Sequence, residues 1–204
     1  MMESPRLPWE VIENVIGHSG DRPNLLASFS LTCRQLLPRS RCIMFTRVTL
    51  KSRDQVFAFV DFLEDNPHLK PFVQSMVVRP TDLAPFPLLY ILPNLSEIRF
   101  TTPSPSDLLP ALHHSSLACF QRFGTHIQTL DVFDIHFATY LSFARILLAF
   151  PNIAHLTCTR VVIKEAGNSG PLDVMRHRLS KQMKLKTLTV SALDCLRAAI
   201  VKPT

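Results

Sequence analysis

The sequence predicts a mixed α/β fold, with a short helical module at the N-terminus followed by short parallel strands that alternate with returning helices. Three observations lead there. An apolar-x-x-apolar-x-apolar pattern recurs after the first seventy residues, and stretches of helical character lie between its copies. Sixteen prolines against five glycines also punctuate the chain with rigid stops, as many short elements require. With 204 residues, 47% of them apolar and 19% charged, the chain has material for a real core and does not read as disordered.

The N-terminal elements come first. Val11, Ile12, Val15 and Ile16 fall at helical spacing behind Pro8, at an early position where a missing N–H costs nothing. Gly17 and Gly20 end that helix. Asp21-Arg22-Pro23-Asn24 offers a turn and a cap for a second helix carrying Leu25, Leu26 and Phe29. Leu31, Cys33, Leu36 and Leu37 form a third apolar run, broken at Pro38. A short turn from Arg39 to Met44 then leads into Phe45-Thr46-Arg47-Val48-Thr49-Leu50, which alternates like a strand. Helices this short bury too little surface to stand alone, so they need the following domain or a bound partner.

Ser52-Arg53-Asp54-Gln55 has capping-box form, and Val56, Phe59, Val60 and Leu63 give the next helix one apolar face. Asn66-Pro67 closes it. The recurring pattern then begins. It reads Val73-x-x-Met76-x-Val78, Leu95-x-x-Ile98-x-Phe100, Ile127-x-x-Leu130-x-Val132, Ile153-x-x-Leu156-x-Cys158 and Leu185-x-x-Leu188-x-Val190. Successive copies start 22, 32, 26 and 32 residues apart, and Pro-Asn precedes two of them, at Pro93-Asn94 and Pro151-Asn152. Phe45-x-x-Val48-x-Leu50 fits as an opening copy. Between copies, Asp107 to Leu112, Ala138 to Phe150 and Leu172 to Met183 are helix candidates, and Ser191-x-x-Asp194 caps a last helix to about Ala198. Strand followed by returning helix, repeated, lets neighbouring strands pair in parallel over a shared core. An α/β domain with a parallel sheet is the rival arrangement. No Gly-rich phosphate loop follows any strand, which weighs against its nucleotide-binding version.

Catalytic groupings do not assemble in this reading, so neither enzyme activity nor a cofactor is expected. Adjacent His113 and His114 point to different helix faces, and His155 and Cys158, three apart on a strand, point to opposite ones. His136 lacks a nucleophile motif to anchor a triad. Asp61, Glu64 and Asp65 read as a solvated helix end. Five cysteines without C-x-x-C spacing suit reduced, buried thiols in the cytosol or nucleus. The most apolar run, Leu141 to Phe150, is short and carries Arg145, and the N-terminus has no signal-peptide core, so no membrane partner is expected. A net charge of +6 concentrates in Arg34, Arg39, Arg41, Arg47, Lys51 and Arg53, then in Arg176, Arg178, Lys181, Lys184 and Lys186. Aromatics do not interleave the second cluster, which argues against a nucleic-acid partner.

The joint spacing of Leu7-Pro8, Glu10-Val11, Ile16, Leu25-Leu26 and Ser30 to Leu36 resembles the F-box over residues 6–50. Many F-box proteins carry tryptophans near Leu36 and at the module's end, where this chain has Gln35-Leu36-Leu37 and Phe45; Pro38-Arg39-Ser40-Arg41 is similar to large fungal F-box families. Residues 51–204 loosely resemble a degenerate leucine-rich-repeat solenoid, with units longer and more uneven than the usual 20–29 residues and without the Asn that follows the strand. The resemblance implies docking onto the Skp-type adaptor of a cullin–RING ubiquitin ligase through Leu7, Pro8, Val11, Ile12, Leu25, Leu26, Leu31 and Leu36. It further implies a repeat region that presents an unknown protein target. Residues alternating with the core would face that target, with Glu97, Arg99, Gln128, Asp131, His155 and Lys186 as candidate contacts. The alternative expectation is a non-enzymatic repeat scaffold whose N-terminal helices only cap the array. The ending at Lys202-Pro203-Thr204, without a polar capping unit, reads as that of a shortened family member.

Overall fold

The computed structural model describes residues 7–79, 86–102, 108–109, 114–165 and 177–191. The chain begins with helices α1 (Trp9–Gly17), α2 (Pro23–Thr32) and α3 (Leu37–Thr46), then strand β1 (Arg47–Leu50), helix α4 (Arg53–Asp65), a 3-10 helix (Pro67–Phe72) and β2 (Ser75–Val78). It continues through α5 (Phe86–Ile91), β3 (Glu97–Thr101), β4 (Leu108–Leu109), α6 (His114–Phe123), β5 (Thr129–Phe133) and β6 (His136–Thr139). Helix α7 (Tyr140–Ala149) and strands β7 (His155–Thr159), β8 (Val162–Glu165) and β9 (Thr187–Ser191) follow, with a helical stretch over 177–182 before β9.

The fold is mixed α/β, and every strand pairing among the described residues is parallel. The main sheet runs β1-β2-β3-β5-β7-β9, and a smaller one runs β4-β6-β8. Recurrences of the apolar pattern lie side by side in the main sheet. Val48, Met76, Ile98, Leu130, Leu156 and Leu188 form one row across it, and Leu50, Val78, Phe100, Val132, Cys158 and Val190 form the next. Val73, Leu95, Ile127 and Ile153, the first positions of their copies, are buried where the chain enters each strand. Side chains alternate along a strand, so these rows share one face; except for Leu188 and Val190, which are exposed on the last strand, they pack into the main core with Val56, Leu63, Leu88, Leu92, Phe120, Phe143 and Phe150 from the helical side.

Neighbouring units are tied at the strand mouths. Gln74 N–H donates to Thr46 C=O, Ser96 to Gln74, Gln128 to Ser96, Ala154 to Gln128 and Lys186 to Ala154, all within 3.0 Å. The two Pro-Asn pairs act at the same level. Asn94 Nδ2 donates to Pro71 C=O at 2.8 Å and Asn152 Nδ2 to Thr125 C=O at 2.6 Å, so each asparagine satisfies a carbonyl in the preceding unit. At the other end of the strands, Asp134 and Arg160 turn the chain toward the second sheet with φ of 57° and 52°. This left-handed conformation costs an ordinary side chain about 1 kcal/mol. Asp134 N–H donates to Thr159 C=O and Arg160 N–H to Ser191 C=O, and an Arg160–Asp134 ion pair at 3.1 Å joins the two turns.

Several expectations need correction. Pro38 does not break a helix: it lies in the first turn of α3, where its missing N–H is harmless, and Cys33 to Leu36 form the connection before it. The helix therefore extends through Phe45 and Thr46, and the strand begins only at Arg47. Leu108 and Leu109, read as helical, form β4, and the other residues of that candidate lie outside the described ones. Ala138 and Thr139 belong to β6, with Thr139 capping α7 by accepting from Ser142 N–H. The helix proposed after Ser191, the first part of the Leu172 to Met183 candidate and the C-terminal ending also lie outside the described residues.

Candidate functional site

Helices α1, α2 and α3 gather around a small core of their own, Ile16, Leu26 and Leu36, lined by Ile12, Phe29, Ile43 and Met44. That core uses only one face of α1. Ile12 and Ile16 turn inward, whereas Leu7, Val11 and Val15, spaced by four, are 66%, 42% and 50% exposed. Positions four apart on a helix stack on one side, so Val11 and Val15 make an apolar stripe that Leu7 extends just ahead of the helix. Trp9 is 39% exposed nearby in sequence, and Leu31 at the end of α2 is 86% exposed. Pro8 begins the helix from outside: its carbonyl accepts from Val11 N–H at 3.1 Å and Ile12 N–H at 3.3 Å.

Of the residues assigned to adaptor docking, Leu7, Pro8, Val11 and Leu31 are exposed and Ile12 and Leu25 are half-buried. Leu26 and Leu36 are corrected to interior residues, because the three short helices have almost nothing else to pack around. Trp9 and Val15 were missed as surface groups. The four-residue spacing from Leu7 could have found Val15, but periodicity alone merges the outer stripe with the inner one.

The second surface is the outer face of the main sheet. Across its middle run Thr49, Val77, Arg99, Asp131, Thr157 and Thr189, and beside them Arg47, Ser75, Glu97, Thr129, His155 and Thr187. Four candidate target contacts therefore share this face: Glu97, Arg99, Asp131 and His155. Gln128 and Lys186 stand exposed at the mouths of β5 and β9. These groups are partly committed to one another. Arg99 Nε donates to Asp131 Oδ2 at 2.5 Å, and His155 Nδ1 lies 2.6 Å from Thr187 Oγ1. Asp131 is buried, and its Oδ1 has no hydrogen-bond partner among the described residues. Asp131 thus acts first as a structural partner of Arg99. Cys158 faces the core, opposite to His155 on the same strand; burial and the Asp131 carboxylate push its thiol up to about 12. Burial likewise lowers the pKa of His126.

The described members of both basic clusters are exposed to solvent. Among the described residues no helix is long and apolar enough to cross a membrane. Family models, curated proteins and solved structures contain no match to this chain.

Proposed function

We propose that this chain is a substrate-receptor subunit of a cullin–RING ubiquitin ligase of the SCF type. Its N-terminal helices dock the Skp-type adaptor as an F-box does, and its parallel-strand array, a degenerate leucine-rich-repeat-like solenoid, presents a protein target. The observation that carries the reading is the doubled apolar character of α1. One stripe builds the small core, and the other, with Leu31, faces outward without a partner among the described residues. Burying such a stripe against another protein gains about 25 cal/mol per Å² of apolar surface, whereas leaving it in water gains nothing. Leu7, Pro8, Val11, Val15 and Leu31 are the contacts in this proposal, with Ile12 and Leu25 at the rim. On the target side, Glu97, Gln128, His155 and Lys186 are the more available groups, since Arg99 and Asp131 hold each other.

Co-purification of the tagged full chain with the Skp-type adaptor tests the assignment. Wild type should recover adaptor, and Leu7→Asp combined with Pro8→Ala or with Val11→Asp should recover almost none. Absence of adaptor with wild type, or equal recovery with the variants, rejects the docking role.

A second reading is favoured by the way α3 runs straight into β1 and packs half-buried Phe45 against the main core. In it, the helices only cap a repeat scaffold. A cap stays folded without a partner, so rapid amide exchange across residues 7–37 of the free protein would remove this reading.

A further inference from the structure

β9 ends the main sheet, and among the described residues no strand pairs with its outer edge. Leu188 and Val190 continue the inward rows of the other strands. They are nevertheless 37% and 41% exposed, where Leu156 and Cys158 beside them are 1% and 0%. The helical stretch over 177–182 that leads into β9 packs Leu179 against the main core, as Met183 and Leu185 do after it. Between these anchors Arg178, Lys181, Lys184 and Lys186 are exposed. None of the four side chains makes an ion pair or a hydrogen bond among the described residues. Residues 177–191 contain no acid, and α7, β7 and β8 before them carry only Glu165. A solvated surface normally intersperses both signs of charge, so unpaired cations of one sign beside an open apolar pair are not an ordinary solvated face.

We infer that this end of the array holds an acidic segment of the target protein. Its carboxylates meet Arg178, Lys181, Lys184 and Lys186, and its apolar side chains cover Leu188 and Val190. Each half of the surface narrows the choice of occupant. Charge of a single sign attracts an anion. The apolar pair selects a protein over a polynucleotide, which would leave Leu188 and Val190 in water. Residues 177–191 also hold no Phe, Tyr or Trp on which a base could stack. Residues 192–204 do not supply the anion, because Asp194 is outnumbered there by Arg197 and Lys202. A second copy of this chain is disfavoured by its net charge of +6, which sets copies against one another. The inference rests on the receptor reading for the role of the bound segment, and the binding itself uses neither the α1 stripe nor Leu31.

The test screens a random heptapeptide library displayed on phage against the full chain without adaptor, with the recovered peptide then measured by fluorescence anisotropy. Recovered sequences should combine Asp or Glu with Leu, Ile, Val or Phe, and binding should weaken as salt rises. Lys181→Glu with Lys184→Glu reverses two exposed charges that hold no partner in the fold. About tenfold or greater loss of affinity should therefore come with an unchanged circular dichroism spectrum. Leu188→Thr should also weaken binding. Leu7→Asp with Pro8→Ala should bind the peptide as wild type does, which separates a failure here from a failure of adaptor docking. The inference is overturned if no acidic peptide is enriched, or if the lysine double variant binds it as tightly as wild type. A mixed-sequence single-stranded oligonucleotide that binds more tightly than any peptide would overturn it too. So would a concentration-dependent oligomer that Asp61→Lys with Glu64→Lys dissolves, since the occupant would then be α4 of a second copy.

Discussion

Replacing Gly124 by alanine probes how tightly the helical side of the main core is packed. Gly124 follows α6, and its N–H donates to Phe120 C=O at 2.8 Å, so the backbone is drawn close to the last turn of the helix. A Cβ at this position would lie 2.5 Å from the Phe120 carbonyl oxygen and 3.0 and 3.1 Å from two ring carbons of Phe150. Neither neighbour yields easily. The carbonyl is backbone, and Phe150 is locked with Phe120 and Phe100 at ring separations of 4.9 and 6.1 Å in a fully buried cluster. Forcing a methyl group into such a site costs about 1–3 kcal/mol, more than the 0.4–1 kcal/mol or so that alanine contributes by restricting the unfolded chain. At Gly17 and Gly20 the nearest atoms to an added Cβ are 3.9 and 3.7 Å away, so alanine fits at both and the unfolded-state term should dominate. Urea unfolding followed by far-ultraviolet circular dichroism should therefore separate the set. Gly124→Ala should lower the midpoint, whereas Gly17→Ala and Gly20→Ala should leave it unchanged or raise it. A Gly124→Ala protein as stable as wild type would refute the packing argument.

Arg99→Ala removes the partner of a carboxylate that is nearly buried and has no other hydrogen bond among the described residues. A loss of about 2 kcal/mol in thermal unfolding is expected, with partial recovery when Asp131→Ala is added; an unchanged midpoint would show that the pair contributes nothing. Cys158 makes a prediction for alkaline pH. Its thiol is raised from an ordinary 9.0 to about 12 in the folded protein, so between these values only the unfolded chain releases the proton. The associated stability is complete below pH 9 and declines as pH rises toward 12, by at most about 1.4 kcal/mol per pH unit. Cys158→Val should flatten that decline, and an equal slope in both proteins would rule the linkage out. Thiol labelling under native conditions should modify exposed Cys33 quickly and spare Cys158.

The strand array was legible because each copy of the pattern marks its own buried positions. Met76 and Val78, or Leu130 and Val132, declare by a period of two which face is inward, and parallel pairing in register follows when every copy carries the same marks. The separation of His155 from Cys158 was readable for the same reason. Helix limits were less legible. Pro38 looks alike as a terminator and as a first-turn residue, and only the packing of α3 chooses between them. The second sheet escaped notice because its strands, Leu108–Leu109, His136–Thr139 and Val162–Glu165, share no recurring apolar pattern like the one that marks the main sheet.

Residue order by itself determined the mixed α/β class, the parallel neighbours and the inward rows of the main sheet, since these follow from local alternation repeated along the chain. Tertiary structure alone decided which apolar residues of the N-terminal helices are spent on a core and which remain outside. Leu26 and Leu31 are equally hydrophobic, yet one is fully buried and the other 86% exposed. It also decided that Arg99 and Asp131, 32 positions apart, neutralise each other. Such outcomes depend on distances between segments remote in sequence. Hydrophobicity says that a side chain avoids water, and only the assembled fold says what it meets instead.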